Sequence, residues 1–234
     1  MIKIAKQLIH SFGRWYCRRI TRSEYESQHY SFKILAVEYA FLFNKLTQLW
    51  PSQVLDVGSG TSALPEVISR CGFVTTSIDR IEEYWSDGMF NRHFHVIEDD
   101  IRTTDLKKKF DFVSCISVLE HIREHRDAMQ SMFSLLTPGG HLLLTFPYNE
   151  LNYVENVYDL PGSGHGQDFS YICQVFSRKQ LDQWLADCNW ELIEQQFWQA
   201  YSGEFWTVGD EVIPPQSVCK NDKHQITCLL FKKI

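Results

Sequence analysis

The stretch Val54-Leu55-Asp56-Val57-Gly58-Ser59-Gly60-Thr61-Ser62 carries the densest chemical pattern in the chain. Two glycines between an apolar run and a helical stretch let the backbone turn sharply and approach a ligand, and the helix start adds free N–H groups. Alone, the G-x-G-x-x-A spacing fits a dinucleotide fingerprint. Asp56, two residues before Gly58, would repel a pyrophosphate and suits a cationic ligand that bears an amino group. Asp79, with Arg80 beside it, stands 23 residues after Asp56. A carboxylate at a strand end there can accept hydrogen bonds from both ribose hydroxyls. Asp100 with Ile101 offers an acceptor for an adenine amine next to an apolar wall. The ligand these acids describe contains adenosine, carries positive charge and lacks phosphate.

Short apolar runs separated by helical segments must position these residues. Strands are predicted at Gln53 to Val57, Phe73 to Ile78, Phe94 to Ile97, Phe110 to Ile116 and His141 to Phe146, with helices over 61–71 and 122–136. Such alternation implies βαβ units and a parallel sheet covered on both faces, a doubly wound α/β domain. After Pro147 the chain turns irregular as far as about residue 175, with Pro161, Gly162, Gly164 and Gly166. Long excursions at the carboxyl end of a strand are commonly functional. A helix capped by Ser177 and strands at Trp190 to Trp198 and Ile226 to Lys233 follow. The segment between these strands, with Gly203, Gly209, Pro214 and Pro215, reads as a second irregular excursion.

These motifs together resemble the class I S-adenosylmethionine-dependent methyltransferases, from about Val54 through Pro147. Val54 to Gly60 matches the glycine-rich first motif, Asp79 the ribose acid and Asp100-Ile101 the adenine site. Phe110-Asp111-Phe112-Val113 to Ser117-Val118-Leu119-Glu120-His121 matches the fourth-strand motif. Leu136-Thr137-Pro138-Gly139-Gly140 with the following His141-Leu142-Leu143-Leu144 matches the turn into strand five. The resemblance implies S-adenosyl-L-methionine as cofactor and a seven-stranded, mostly parallel Rossmann-like sheet of order 3-2-1-4-5-7-6, with Ile226 to Lys233 as its reversed strand. It divides the chain into an N-terminal helical extension or lid over 1–50 and a cofactor-binding domain over 51–234. It also places Asp56, Gly58, Ser59, Gly60, Asp79, Arg80, Asp100, Ile101, Ser117 and His121 around the cofactor. No metal is called for. His121 and His125 share a helix face at i and i+4, but no third ligand is placed, so a solvated face is the better reading.

The acceptor side is less sharply written. His165, between glycines and near Asp168, leads as a substrate-side base, weighed against an ordinary loop histidine. His121 is weighed as a second acid–base group and Tyr148 as a third. Cys115 follows Ser114 and reads as a core thiol. His29, Tyr25, Tyr30 and Tyr39 precede the first strand, where the family often covers the site, though aromatic packing suits them as well. Trp198, Tyr201, Phe205 and Trp206 would form an apolar acceptor wall or a partner patch. The expected acceptor is a small molecule, a glycan or a lipid-linked compound, methylated on oxygen or nitrogen. A nicotinamide-dependent reductase and a non-catalytic cofactor-binding module are the alternatives.

Charge divides the chain of 234 residues. Its 23 basic and 29 acidic side chains give a net charge of −6, which argues against nucleic acid as partner. Lys3, Lys6, Arg14, Arg18, Arg19 and Arg22 all precede the first acid, Glu24, so the remainder carries −12. Ile2, Ala5, Leu8, Ile9, Phe12, Trp15, Tyr16 and Ile20 recur at helical spacing among those cations. An ordinary packed helix, a transit peptide and an interfacial membrane helix over 1–22 all satisfy that pattern. Seven dispersed cysteines without a C-x-x-C pair favour a reducing, cytoplasmic setting.

Overall fold

The computed structural model describes residues 4–16, 33–80, 91 and 93–234. It divides into two units, Met1–Phe32 and Lys33–Ile234. In the first, residues 4–16 form a helix, α1. The second is an α/β fold whose elements run α2 (Leu35–Leu49), β1 (Gln53–Val57), α3 (Leu64–Arg70), β2 (Val74–Asp79), β3 (Ile97–Glu98) and β4 (Phe110–Ile116). They continue through a 3-10 turn at Leu119–His121, α4 (His125–Leu135), β5 (Leu136–Pro147), α5 (Arg178–Asp187), β6 (Trp190–Tyr201), β7 (Glu211–Val218) and β8 (Ile226–Lys233).

The strands form one sheet in the order β3-β2-β1-β4-β5-β8-β6-β7. Strands β1 to β5 pair in parallel, while β8 lies antiparallel between β5 and β6. The reversed strand therefore sits where the family resemblance places it. Among the described residues the sheet has eight strands rather than seven, because residues 211–218 add β7 antiparallel to β6 at the edge. Pro214 and Pro215 disguise β7 in the sequence, yet an edge strand tolerates residues without an N–H because one side of its ladder is unpaired. The third strand is also shorter and later than the predicted 94–97.

Alternation along β1 sends Leu55 and Val57 into one apolar layer and Val54 into the other. The first layer packs Ala128, Met129 and Met132 of α4 and Leu181 and Trp184 of α5 on the sheet. The second packs Phe41, Leu42 and Leu46 of α2 with Leu64 and Ile68 of α3. Ring centroids of Phe146, Phe176 and Trp184 stand 5.0 to 5.7 Å apart, edge to face. Burying each such ring contributes about 1.5–3 kcal/mol, which fixes α5 against β5. The side chain of Gln180 accepts the Ser177 backbone N–H at 3.1 Å and caps α5.

The two irregular excursions form a third apolar cluster, with Val157, Tyr158, Cys173 and Val175 from one and Trp206 from the other, joined by Ile34 and Ile226. They are tied to each other where the Gly164 N–H donates to the Thr207 carbonyl at 2.8 Å and the Ser163 and Thr207 hydroxyls meet at 2.8 Å. The cap thus stands at Ile226, where β8 begins beside the carboxyl end of β5.

Candidate functional site

The turn after β1 has a shape only glycine can take. Gly58 sits at φ +79°, and a Cβ there would lie 2.3 Å from a methyl of Val118. Gly60 is also left-handed, at φ 52°. Asn91 clamps this turn, donating to the carbonyls of Gly60 and Ser62 at 2.9 and 2.8 Å. Nothing in the local sequence marks Asn91, since its partners stand about thirty residues earlier. The Ser77 hydroxyl donates to the Ser59 hydroxyl at 2.8 Å, pinning the turn to β2.

Asp56 lies beneath this turn and is 2% exposed. One carboxyl oxygen accepts the Ser114 hydroxyl at 2.8 Å, and the other has no hydrogen-bond partner. Burial raises its pKa to about 7, with the Ser114 bond opposing and Asp79 adding to the rise. Asp79 accepts the Gly60 N–H, and burial raises its pKa to about 6 against that bond. Asp56, with one oxygen unpartnered, and Asp79, held by the Gly60 and Arg80 N–H groups, therefore flank a glycine cradle. A cation and hydroxyl donors satisfy such a place, whereas a phosphate does not.

Asp100 is arranged differently. Arg102 binds it through Nη2 at 2.6 Å and Nε at 3.0 Å, and Arg80 reaches it at 3.0 Å. Burial acts to raise its pKa, but the Arg102 and Arg80 bonds outweigh it and hold the group at about 2. Arg80 is thus positioned on Asp100, and Ile101 is buried beside it. The Ser117 backbone is left-handed at φ 51°, an uncommon state for a side chain larger than glycine and a mark of local strain after β4. Its N–H donates to the Thr145 carbonyl at 3.0 Å, and its hydroxyl donates to Glu38 at 2.7 Å.

On the acceptor side, the Nδ1 of His121 lies 2.6 Å from the Ile172 carbonyl. That carbonyl can only accept, so the proton sits on Nδ1 and Nε2 carries the lone pair. Burial lowers the His121 pKa against the opposing Ile172 bond, which favours the neutral ring. Its edge meets Tyr171 at 4.8 Å, and Tyr171 stacks on Phe169 at 5.0 Å. The His165 ring borders the same cluster, 6.2 Å from Tyr158 and 6.5 Å from Phe169. Burial lowers its pKa too, and the opposing charge is Glu211 rather than Asp168. The fold thus brings His121 and His165 to one aromatic cluster.

Tyr148 has a structural part instead. It is fully buried, its hydroxyl donates to Glu150 at 2.8 Å, Arg178 covers its ring, and burial pushes its pKa up. His125 accepts the Trp184 indole N–H at 3.1 Å and packs on Phe176. It therefore does not pair with His121 across a helix face, and the described residues contain no cluster of three potential metal ligands. Cys115 is buried in β4, its thiol pKa pushed up by burial. Tyr39 is near Asp56 and Glu38 and hydrogen-bonded with Ser62, and burial raises its pKa to about 12. Tyr25, His29 and Tyr30 lie outside the described residues.

The family model described as a methyltransferase domain matches residues 27–195. The chain belongs to that family. The class I methyltransferase resemblance of the motifs is borne out by it. Ubiquinone biosynthesis O-methyltransferase of Haemophilus ducreyi is 29% identical to this methyltransferase domain over 120 residues, 47% of this chain and 51% of that protein. The mitochondrial ubiquinone biosynthesis O-methyltransferase of Schizosaccharomyces pombe is 30% identical over 101 residues, 40% of this chain and 37% of that one. The chain thus spans about half or less of the length of these curated relatives. Among solved structures, 1,6-didemethyltoxoflavin-N1-methyltransferase of Burkholderia thailandensis superposes with a TM-score of 0.57 at 12% identity, over 96% of this chain and 89% of that one. TehB of Haemophilus influenzae gives 0.53 at 18% identity, over 83% and 62%. These two likenesses are of fold.

Proposed function

We propose that the chain transfers a methyl group from S-adenosylmethionine to an oxygen or nitrogen of a small organic acceptor, free or carried on a glycan or lipid. The observation that carries this reading is the buried, unpartnered oxygen of Asp56 beneath the Gly58 turn. A pyrophosphate would meet that carboxylate with like charge, so a nicotinamide dinucleotide is disfavoured. An adenosine ligand with an α-ammonium group supplies what the acid lacks. The cofactor contributes an activated methyl on sulfur. The chain's own residues then have positional work, which is where most of the gain in such a reaction arises. Asp79 takes the ribose hydroxyls, Asp56 with the Gly58-Ser59-Gly60 turn takes the methionine end, and Ile101 packs on the adenine. His121, oriented by its Nδ1 contact to the Ile172 carbonyl, and His165 stand at the same aromatic cluster and are the histidines placed to take a proton from the acceptor.

Calorimetric titration with S-adenosylhomocysteine and with NADH tests the reading. S-adenosylhomocysteine is expected to bind and NADH not to; binding of NADH alone would overturn it. A screen for methyl transfer separates an enzyme from a binding module.

A second observation concerns the leader. In α1 the side chains Ile4, Leu8, Ile9, Phe12, Trp15 and Tyr16 are each more than half exposed, with Lys6 and Arg14 on the same helix. No helix among the described residues is long and apolar enough to cross a membrane. We infer that α1 lies on an anionic bilayer surface, with its aromatic residues inserted and its cations at the headgroups. Deleting residues 1–22 should abolish sedimentation with phosphatidylserine vesicles and leave the affinity for S-adenosylhomocysteine within about twofold. Unchanged vesicle binding would remove the membrane role.

A further inference from the structure

Two buried carboxyls outside the glycine-rich motif lie near the carboxyl end of β4, one bonded to Ser117 and the other in the turn that follows. Glu38 arrives from α2 and is 0% exposed, and Glu120 arrives from the 3-10 turn and is 3% exposed. One oxygen of Glu38 accepts the Ser117 hydroxyl at 2.7 Å, and Thr145 also hydrogen-bonds the carboxyl. Glu120 is held by its backbone, whose carbonyl accepts the Gln174 N–H at 2.9 Å. In each side chain Oε2 is buried with no hydrogen-bond partner.

Among the described residues, no cation is paired with either carboxyl. Glu38 acts on Glu120 as a like charge, and Glu120 acts on Cys173 and Tyr158 of the cap as well as on Cys115. Glu38 likewise acts on Cys228 of β8. Burial raises both carboxyl pKa values. A packing role would be served better by apolar residues of similar volume, because two buried carboxyls each with an unpartnered oxygen cost stability. An external cation would remove that cost. Ser117, which holds Glu38, directly follows β4 and is expected at the cofactor, while Tyr158 and Cys173 belong to the cap on the acceptor side.

We propose that Glu38 and Glu120 form a socket for an onium centre, a positively charged sulfur or nitrogen, at the point where the methyl group changes hands. The proposal rests on the methyltransferase reading above. Its two sources are the cofactor sulfonium and an ammonium group on the acceptor.

The variants Glu38→Gln and Glu120→Gln keep the shape and remove the charge. One arm measures S-adenosylmethionine against S-adenosylhomocysteine by calorimetry, ligands that differ by the methyl and its sulfonium charge. A loss of about tenfold or more in their affinity ratio, relative to wild type, supports the socket with the sulfonium as source. The other arm titrates the protein saturated with S-adenosylhomocysteine with phenethylamine and with phenethyl alcohol. A preference for the amine that both variants lose supports the socket with an acceptor ammonium as source. If neither the ratio nor the preference moves in either variant, the socket is overturned. Binding of S-adenosylhomocysteine by the variants shows that they fold. Failure of the wild type to bind it would sink the methyltransferase reading instead.

Discussion

Replacing Asp79 by alanine is expected to weaken S-adenosylhomocysteine binding by about a hundredfold or more. Hydrogen bonds to a charged group contribute about 1.5–3 kcal/mol each, and the ribose offers two hydroxyls to this carboxylate. Losing both costs about 3–6 kcal/mol, while the Gly60 N–H also loses its acceptor and the turn loses a tie to β2. Stability should move the other way or hardly at all. The Asp79 carboxyl is buried and its pKa is raised to about 6, so at neutral pH the unliganded fold carries a carboxylate it holds poorly. Its backbone carbonyl still accepts the Asp99 N–H at 3.1 Å, which a side-chain substitution leaves in place. Calorimetry for affinity and thermal unfolding of the unliganded protein separate the two effects. An affinity within about threefold of wild type would exclude Asp79 from the ribose role.

What the sequence made legible follows from how far apart the deciding groups lie. Strands β1, β4 and β8 have the bounds read from the chain, because a strand buried on both faces is a continuous apolar run cut off by turn residues. The acids Asp56 and Asp79 were legible because spacing relative to a glycine turn is a local property. Glu38 was not, since on an amphipathic helix a glutamate between apolar residues looks like a solvent-facing position, and only docking of α2 on the sheet buries it. In the sequence Asp100 looks like an open acceptor, because Arg80, twenty residues earlier, meets it only through the fold. The cap is hidden for the same reason: Ser163 and Thr207 bond across a separation of 44 positions in the sequence. Glycines and prolines in both segments announced irregularity without saying that the two excursions were partners.

Binding of S-adenosylhomocysteine should tighten as pH rises from about 5 to about 8, with proton release on the way. Asp56 titrates at about 7 and Asp79 at about 6 in the unliganded protein, both raised by burial. The ligand brings an α-ammonium to the first and hydroxyl donors to the second, and both favour the carboxylate over the acid. Bound pKa values therefore fall below the free ones, and binding expels protons wherever pH lies between them. Below about pH 6 each protonated group costs up to about tenfold in affinity per pH unit, and above about pH 7.5 the dependence flattens. The unliganded fold behaves oppositely. Acids whose folded pKa exceeds the unfolded value stabilise fully at low pH and lose that contribution as pH rises through about 7 for Asp56 and about 6 for Asp79. The rise in melting temperature caused by a fixed ligand concentration should accordingly grow with pH across the same window. Calorimetry at about pH 7 in two buffers of different ionisation enthalpy reads the released protons directly. Asp56→Asn should remove most of the release, because its amide carries no proton to give up. Heats that do not depend on the buffer, with affinity flat from about pH 5 to about pH 8, would mean that neither acid changes its charge when the ligand binds.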